Sequence, residues 1–267
     1  MRLPPDLALV LRVATVVDAV RERADRTDLA VHLESESSFP TNVGLGSSSS
    51  GFAAAAVATA EAADLDLEPG PLSAIARLGS ASAARAVTGG FSLLPGGADD
   101  QTCRSVRLDS PLEDDLRIVA AIVDAYKETG DAHREAPESH MFGARLAHVH
   151  DQLAAVRAGL AAGSFERTFE RVEADSISLA ATTMTGPSGW IYWRPVTLEV
   201  FDAVRTLRED HDVPAYFSTD TGASVYVNTT EDHVKAVVDA IEPLDLLDVR
   251  IWRVGGRARR DDELALF

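Results

Sequence analysis

Apolar residues Leu9, Val10, Val13, Val16, Val17 and Val20 recur at helical spacing and predict a helix over residues 6–23, with Asp6 as its N-cap. Residues 29–35 alternate apolar with polar and predict a strand. Residues 37–50 form a polar, Gly/Ser-rich turn that runs directly into an alanine-rich helix over 51–63. Residues 71–87 predict two short helices broken near Gly79 and ending at Gly89-Gly90, followed by short strands over 91–94 and 105–108.

Acidic residues cluster at 112–115, and a strongly apolar strand begins at Leu116. The domain boundary is placed there, giving an N-terminal domain over 1–112 and a C-terminal domain over 113–267. The second half predicts helices over 139–162, 164–181, 197–210 and 231–241. Its strands are expected over 215–218, 224–228 and 248–254, with a solvated turn over 257–262. Such a mixture is an α+β protein of two domains. No internal repeat interrupts it.

Composition narrows the function classes. At 267 residues, 46% hydrophobic and 25% charged, the chain can bury a sizeable core. No apolar run is long enough to span a bilayer, and residues 1–5 show no signal-peptide pattern, so a cytoplasmic protein is expected. Cys103 is the one cysteine, which excludes an internal disulfide and any multi-cysteine metal site. A formal charge of −17 repels phosphate backbones and anionic lipid, so neither nucleic acid nor membrane is an expected partner. Lys127 and Lys235 are the only lysines, and acidity with so few lysines suits a protein dissolved in concentrated salt.

The sharpest chemical signal is Pro40-Thr41-Asn42-Val43-Gly44-Leu45-Gly46-Ser47-Ser48-Ser49-Ser50-Gly51, with a helix following at once. Glycines let the backbone approach a ligand, and the first amides of a helix have no internal partner and favour an anion. Serine hydroxyls add donors for phosphate oxygens or ligands for Mg²⁺. No Lys follows the last glycine, so the segment is not a Walker A loop; Ser49 replaces the final glycine of a dinucleotide fingerprint. The bland alternative is a flexible serine-rich linker.

Residues 39–51 resemble the P-x-x-x-G-L-x-S-S phosphate loop of the small-molecule kinase superfamily that includes galactokinase, homoserine kinase and mevalonate kinase. The preceding Glu36-Ser37-Ser38-Phe39-Pro40-Thr41 resembles the diphosphomevalonate decarboxylase branch, and the acidity together with the Thr219-Asp220-Thr221-Gly222-Ala223-Ser224 variant resembles its haloarchaeal type. The resemblance implies a ribosomal protein S5 domain 2-like N-terminal domain and a ferredoxin-like C-terminal domain. It implies that Gly44, Gly46, Ser47, Ser48, Ser49 and Gly51 bind ATP with Mg²⁺; it assigns no metal ligand.

Gly79-Ser80-Ala81-Ser82-Ala83-Ala84-Arg85, with Thr88-Gly89-Gly90-Phe91, is similar to the decarboxylases' G-S-G-S-A-x-R…G-G-F, Ala81 replacing the middle glycine. By spacing alone Arg85 reads as a helix-face arginine paired with a nearby acid. The resemblance instead makes it the anchor of the substrate carboxylate, with Ser80 and Ser82 as hydroxyl contacts. Tyr216-Phe217-Ser218-Thr219-Asp220-Thr221-Gly222-Ala223-Ser224 resembles F-T-x-D-A-G-x-N, which makes Asp220 the leading catalytic residue; Thr221 and Ser224 depart from the commoner Ala and Asn. Lys127, Thr129 and Ser139 are weaker substrate-binding candidates. His133 and His140 read as solvated helix-face histidines before acid–base groups. Glu173-Ala174-Asp175-Ser176 resembles the start of a D-S-x-x-x-H-A-T helix, with Ala180 in place of its His.

The family's opening K-Y-W/H-G strand and S-x-S strand have no counterpart here, so the first domain is expected to be incomplete. The implied reaction is ATP-dependent decarboxylation of a phosphorylated 3-hydroxy acid, with 5-phosphomevalonate favoured over its diphosphate. The alternatives are a kinase of the same superfamily or an inactive nucleotide-binding homologue. A homodimer is compatible with the resemblance.

Overall fold

The computed structural model describes residues 5–39, 46–124 and 134–261. They divide into two compact units, one formed by residues up to 108 together with the tail from Gly255, the other by 109–254.

The first unit contains α1 (Pro5–Arg23), α2 (Ser47–Ala62), α3 (Pro69–Ala76), α4 (Ala81–Thr88) and an antiparallel ribbon of β1 (Phe91–Leu93) with β2 (Val106–Leu108). Val16 and Val20 of α1, Phe52 and Ala56 of α2, Ile75 of α3 and Val87 of α4 form its core, each no more than 1% exposed. The alanines of α2, with Ala53, Ala55, Ala56 and Ala60 buried, keep that helix thin, so neighbouring helices approach closely. The closest approach is at Gly79, where a Cβ would lie 2.4 Å from the Phe52 ring. Arg12 stacks over the other side of this arrangement, its guanidinium 5.3 Å from the Phe52 centroid and its Nη1 donating to the Gly79 carbonyl at 3.4 Å.

Three sequence expectations change here. Residues 29–35 form no strand: they are irregular, and no described segment pairs with them. Alternation specifies which face a strand would bury, but a strand also needs a hydrogen-bonding neighbour. Second, α2 starts at Ser47 and not at Gly51. Gly46 adopts a left-handed conformation (φ 71°), and its carbonyl accepts from Ser49 N at 2.9 Å and Ser50 N at 3.2 Å, so the serines supply the first helical turn. Third, the tail beyond Gly255 belongs to the first unit. Gly90 N donates to Gly255 O at 2.8 Å and Ala258 N to Val87 O at 3.1 Å. Gly89 (φ 64°) sits so close to Gly256 that a Cβ would be 2.3 Å from its backbone, which explains the glycine at 89.

The second unit begins with β3 (Leu116–Ile122), continues through α5 (Phe142–Ala162), α6 (Phe165–Met184) and α7 (Pro195–His211), then β4 (Tyr216–Ser218), β5 (Val225–Thr230), α8 (Val234–Ile241) and β6 (Asp248–Arg253). Its four strands run antiparallel in the order β4-β5-β3-β6. With helices between β3 and β4 and between β5 and β6, this is the split β-α-β ferredoxin-like arrangement, with an added helix pair. Alternate residues Val119 and Ala121 of β3 and Val225 and Val227 of β5 meet Val200 and Val204 of α7 and Val237 and Ile241 of α8, all 0% exposed. The α5–α6 corner turns at Gly163 (φ 64°), and the helices touch where Gly159 faces Thr168. Trp193 packs edge-on against Phe201 at 5.0 Å.

Candidate active site

Within the first unit, the beginnings of α2 and α4 are joined by hydroxyls. Ser49 Oγ lies 2.5 Å from Ser82 Oγ, and Ser82 Oγ lies 2.9 Å from Ser80 Oγ. Thus the glycine–serine segment and the Gly79–Arg85 segment, far apart in sequence, form one polar surface. Gly46 and Ser48 are exposed, Ser47, Ser49 and Gly51 half-buried, and no side chain caps α2. Because Ser49 N and Ser50 N are taken by Gly46 O, the amides of Ser47 and Ser48 are the ones that a helix leaves without an internal partner. Gly51 is informative. It stands in the helix, where glycine costs about 1 kcal/mol relative to alanine, yet a Cβ there would meet nothing within 4 Å. Packing does not require this glycine.

Arg85 lies on the exposed side of α4. Among the described residues no carboxylate pairs with it, although the chain has 42 acidic residues against 25 basic ones. The ordinary fate of a surface arginine in such a chain is shown by Arg77, which meets Asp100 at 2.7 Å. A planar guanidinium of this kind is suited to gripping a carboxylate with two parallel hydrogen bonds.

In the second unit, Asp220 follows the end of β4 in a turn closed by Gly222 N donating to Asp220 O at 2.9 Å. It is exposed, whereas its neighbours Thr219 and Thr221 are buried. Its charge reaches Tyr226 on β5: burial, and secondarily Asp220, push the Tyr226 hydroxyl up to about 12. The phenol therefore stays neutral and remains a hydrogen-bond donor at any physiological pH. Both hydroxyls flanking the aspartate, Thr219 Oγ1 and Thr221 Oγ1, are buried without a partner. Ser224, at the far end of the turn, accepts from Val123 N at 3.2 Å, and Thr197 Oγ1 on α7 donates to Ala223 O at 2.8 Å.

Ser139 is 5% exposed, with its hydroxyl 2.7 Å from Thr185 Oγ1 and accepting from Met141 N at 3.1 Å. These bonds tie the entry of α5 to the end of α6. His140 is exposed. Gly44, Lys127, Thr129 and His133 lie outside the described residues. A groove of about 410 Å³ between α5 and α6, lined by Met141, Arg145, His148, Ile177 and Thr182 among others, contains none of the candidate residues. Its arginine is already bound, Arg145 gripping Asp175 through contacts of 3.0 and 3.2 Å. In the sequence Glu173 and Ser176 are visible only as parts of a motif, and nothing marks Tyr226.

Among the described residues no group of three or more His, Cys, Asp or Glu could hold a metal ion, and no helix is long and apolar enough to cross a membrane.

Comparison with known proteins identifies the family. Residues 8–105 match the diphosphomevalonate decarboxylase-like N-terminal domain. The phosphomevalonate decarboxylase of Haloferax volcanii is 60% identical over 257 residues, 96% of this chain and 79% of that protein. The diphosphomevalonate decarboxylase of Candida albicans is 31% identical over 75% of this chain and 58% of its own length. Among solved structures, mevalonate diphosphate decarboxylase from Staphylococcus aureus superposes with a TM-score of 0.83 at 27% identity, covering 95% of this chain and 80% of that one. MDDEF, in complex with MVAPP, AMPPCP and magnesium, gives 0.82 at 27% identity over 92% of this chain and 76% of that one. With that degree of identity to the Haloferax protein, and with the same fold, the chain belongs to the phosphomevalonate and diphosphomevalonate decarboxylase family.

Proposed function

We propose that this chain uses ATP to decarboxylate 5-phosphomevalonate, releasing isopentenyl phosphate, CO₂, ADP and phosphate. The observation that carries the reading is the polar surface where the start of α2, with its open Gly51, meets Ser82 through Ser49. Exposed amides and hydroxyls at a helix start fit a polyphosphate.

The roles follow from chemistry. The amides and hydroxyls of residues 46–49 hold the phosphates of ATP. Mg²⁺, when bound, neutralises phosphate charge; with no protein carboxylate cluster among the described residues, it would be held by phosphate, water and serine oxygens. Asp220 orients the substrate's 3-hydroxyl and accepts its proton, and the hydroxyl oxygen takes the γ-phosphoryl group. The C3–O bond then breaks and phosphate leaves with the electron pair. Breaking of the bond to the carboxyl carbon supplies a new pair to the C2–C3 double bond and frees CO₂. Arg85 holds the carboxylate before that step with two parallel hydrogen bonds. The monophosphate is favoured because the Haloferax relative is a phosphomevalonate decarboxylase and because Thr221 and Ser224 depart from the sequence of the diphosphate branch.

The test is to measure CO₂ and ADP together, with 5-phosphomevalonate and with its diphosphate. One CO₂ per ADP from the monophosphate is expected. ADP without CO₂ would make the protein a kinase, and CO₂ from the diphosphate alone would reassign the substrate.

A further inference from the structure

β4 is an edge strand, and the side of it away from β5 is closed by side chains instead of by another strand. Alternate residues of a strand direct their backbone groups to the same edge. On this edge Ala215 O accepts from Arg208 Nη1 at 2.8 Å, Phe217 N donates to Glu173 Oε2 at 3.1 Å, and Thr219 N donates to Ser176 Oγ at 3.1 Å. Glu173 and Ser176 lie three residues apart on α6 and so share a helix face. Neither is held loosely. Glu173 also meets Arg208 through contacts of 3.1 and 3.3 Å, and Ser176 donates its own proton to Val172 O at 3.0 Å. The last backbone group fixed in this way belongs to Thr219, whose own hydroxyl has no partner. Asp220 comes next in the chain.

We infer that Glu173 and Ser176 are positioning residues for Asp220: α6 serves as a substitute strand whose two side chains set the direction in which β4 delivers the aspartate. The inference rests on the reading of Asp220 as the group that meets the substrate hydroxyl. Ser176 is the more specific of the two, because it holds the amide adjacent to Asp220. Edge protection alone would require only that the amides be covered. A positioning role requires in addition that turnover follow the quality of that hydrogen bond.

The experiment compares Ser176→Ala, Ser176→Thr and Glu173→Gln with the unaltered chain, and uses Ser178→Ala, on the same helix but lining the α5–α6 groove, as a control. Turnover, KM for each substrate, Tm and hydrogen exchange at the Thr219 amide are measured. A misdirected reacting group costs rate more than binding, so Ser176→Ala should lower kcat by about tenfold or more with KM nearly unchanged. It should also accelerate exchange at Thr219. Ser176→Thr, which keeps the hydroxyl, should restore most of both, Glu173→Gln should fall between them, and Ser178→Ala should match the unaltered chain. Faster exchange with unchanged kcat, or unchanged exchange at Thr219, would overturn the inference, and Ser176→Thr and Glu173→Gln keep the test open if the alanine variant does not fold. Absence of CO₂ release by the unaltered chain would instead count against the decarboxylase reading, while the exchange measurement would still decide whether Ser176 holds the turn.

Discussion

Ser49 and Ser82 face each other with their Oγ atoms 2.5 Å apart, so that the first turn of α2 is fastened to the first turn of α4. The contact holds together two segments to which sequence reasoning assigned different ligands, ATP for one and the substrate for the other.

The fit of these segments depends on Gly79. A methyl group there would collide with the Phe52 ring, which is 1% exposed and has Arg12 on its face. Overpacking of this kind costs about 1–3 kcal/mol. Gly79→Ala should therefore lower Tm measurably, and a calorimetric scan showing no change would mean that Phe52 can move aside.

Arg85 should matter to the substrate and not to the fold. It is exposed and unpaired among the described residues, so Arg85→Ala should leave Tm within error. Loss of a charged, two-pronged contact should lower kcat/KM by roughly 100-fold. Arg85→Lys should recover only a minor part, because a point charge lacks the planar fork. Steady-state kinetics with melting curves of both variants checks this.

Asp220→Asn preserves shape and removes the base. CO₂ and ADP formation should both fall by about 10²–10⁴-fold, the usual contribution of a positioned general base. Nucleotide binding, measured by calorimetry, should persist. A variant retaining full activity would remove Asp220 from the mechanism.

The Tyr226 phenol gives a prediction about pH. Its folded-state value of about 12 lies above the ordinary 10, through burial first and the Asp220 charge second. A raised value means that the folded chain keeps the proton longer than the unfolded one. The associated stability is complete below pH 10 and is lost as pH rises through 12. Ultraviolet titration should show a late phenolate step that Tyr226→Phe abolishes. Asp220→Asn should move that step down only partly, since burial remains.

Much of this was legible in the residues. Apolar spacing located the helices around Val16 and Val204, and the strand starting at Leu116, because those positions are completely or almost completely buried. Arg85 and Asp220 stand out only through the resemblance of their segments to the decarboxylase motifs; by spacing alone they read as a helix-face arginine and a turn former. The start of α2 was not legible: Ser47–Ser50 carry no apolar pattern, and it is the left-handed Gly46 that sets the first turn. Residues 29–35 misled because alternation says nothing about whether a neighbour is present. The edge closure of β4 was hidden for a different reason. Glu173 and Ser176 meet Phe217 and Thr219 only after folding, and helical periodicity does not report which amides lack a strand.

The return of the tail to Gly89 and Gly90 has a consequence for biosynthesis. Residues 109–254 are continuous, so that unit contains its whole sheet once β6 has left the ribosome. The other unit starts earlier but is finished later, because Gly255 and Ala258 must arrive before Gly90 N and Val87 O find their partners. Contacts so distant along the chain form slowly. The half that would bind nucleotide is thus the last to close, although its helices are the first to be made.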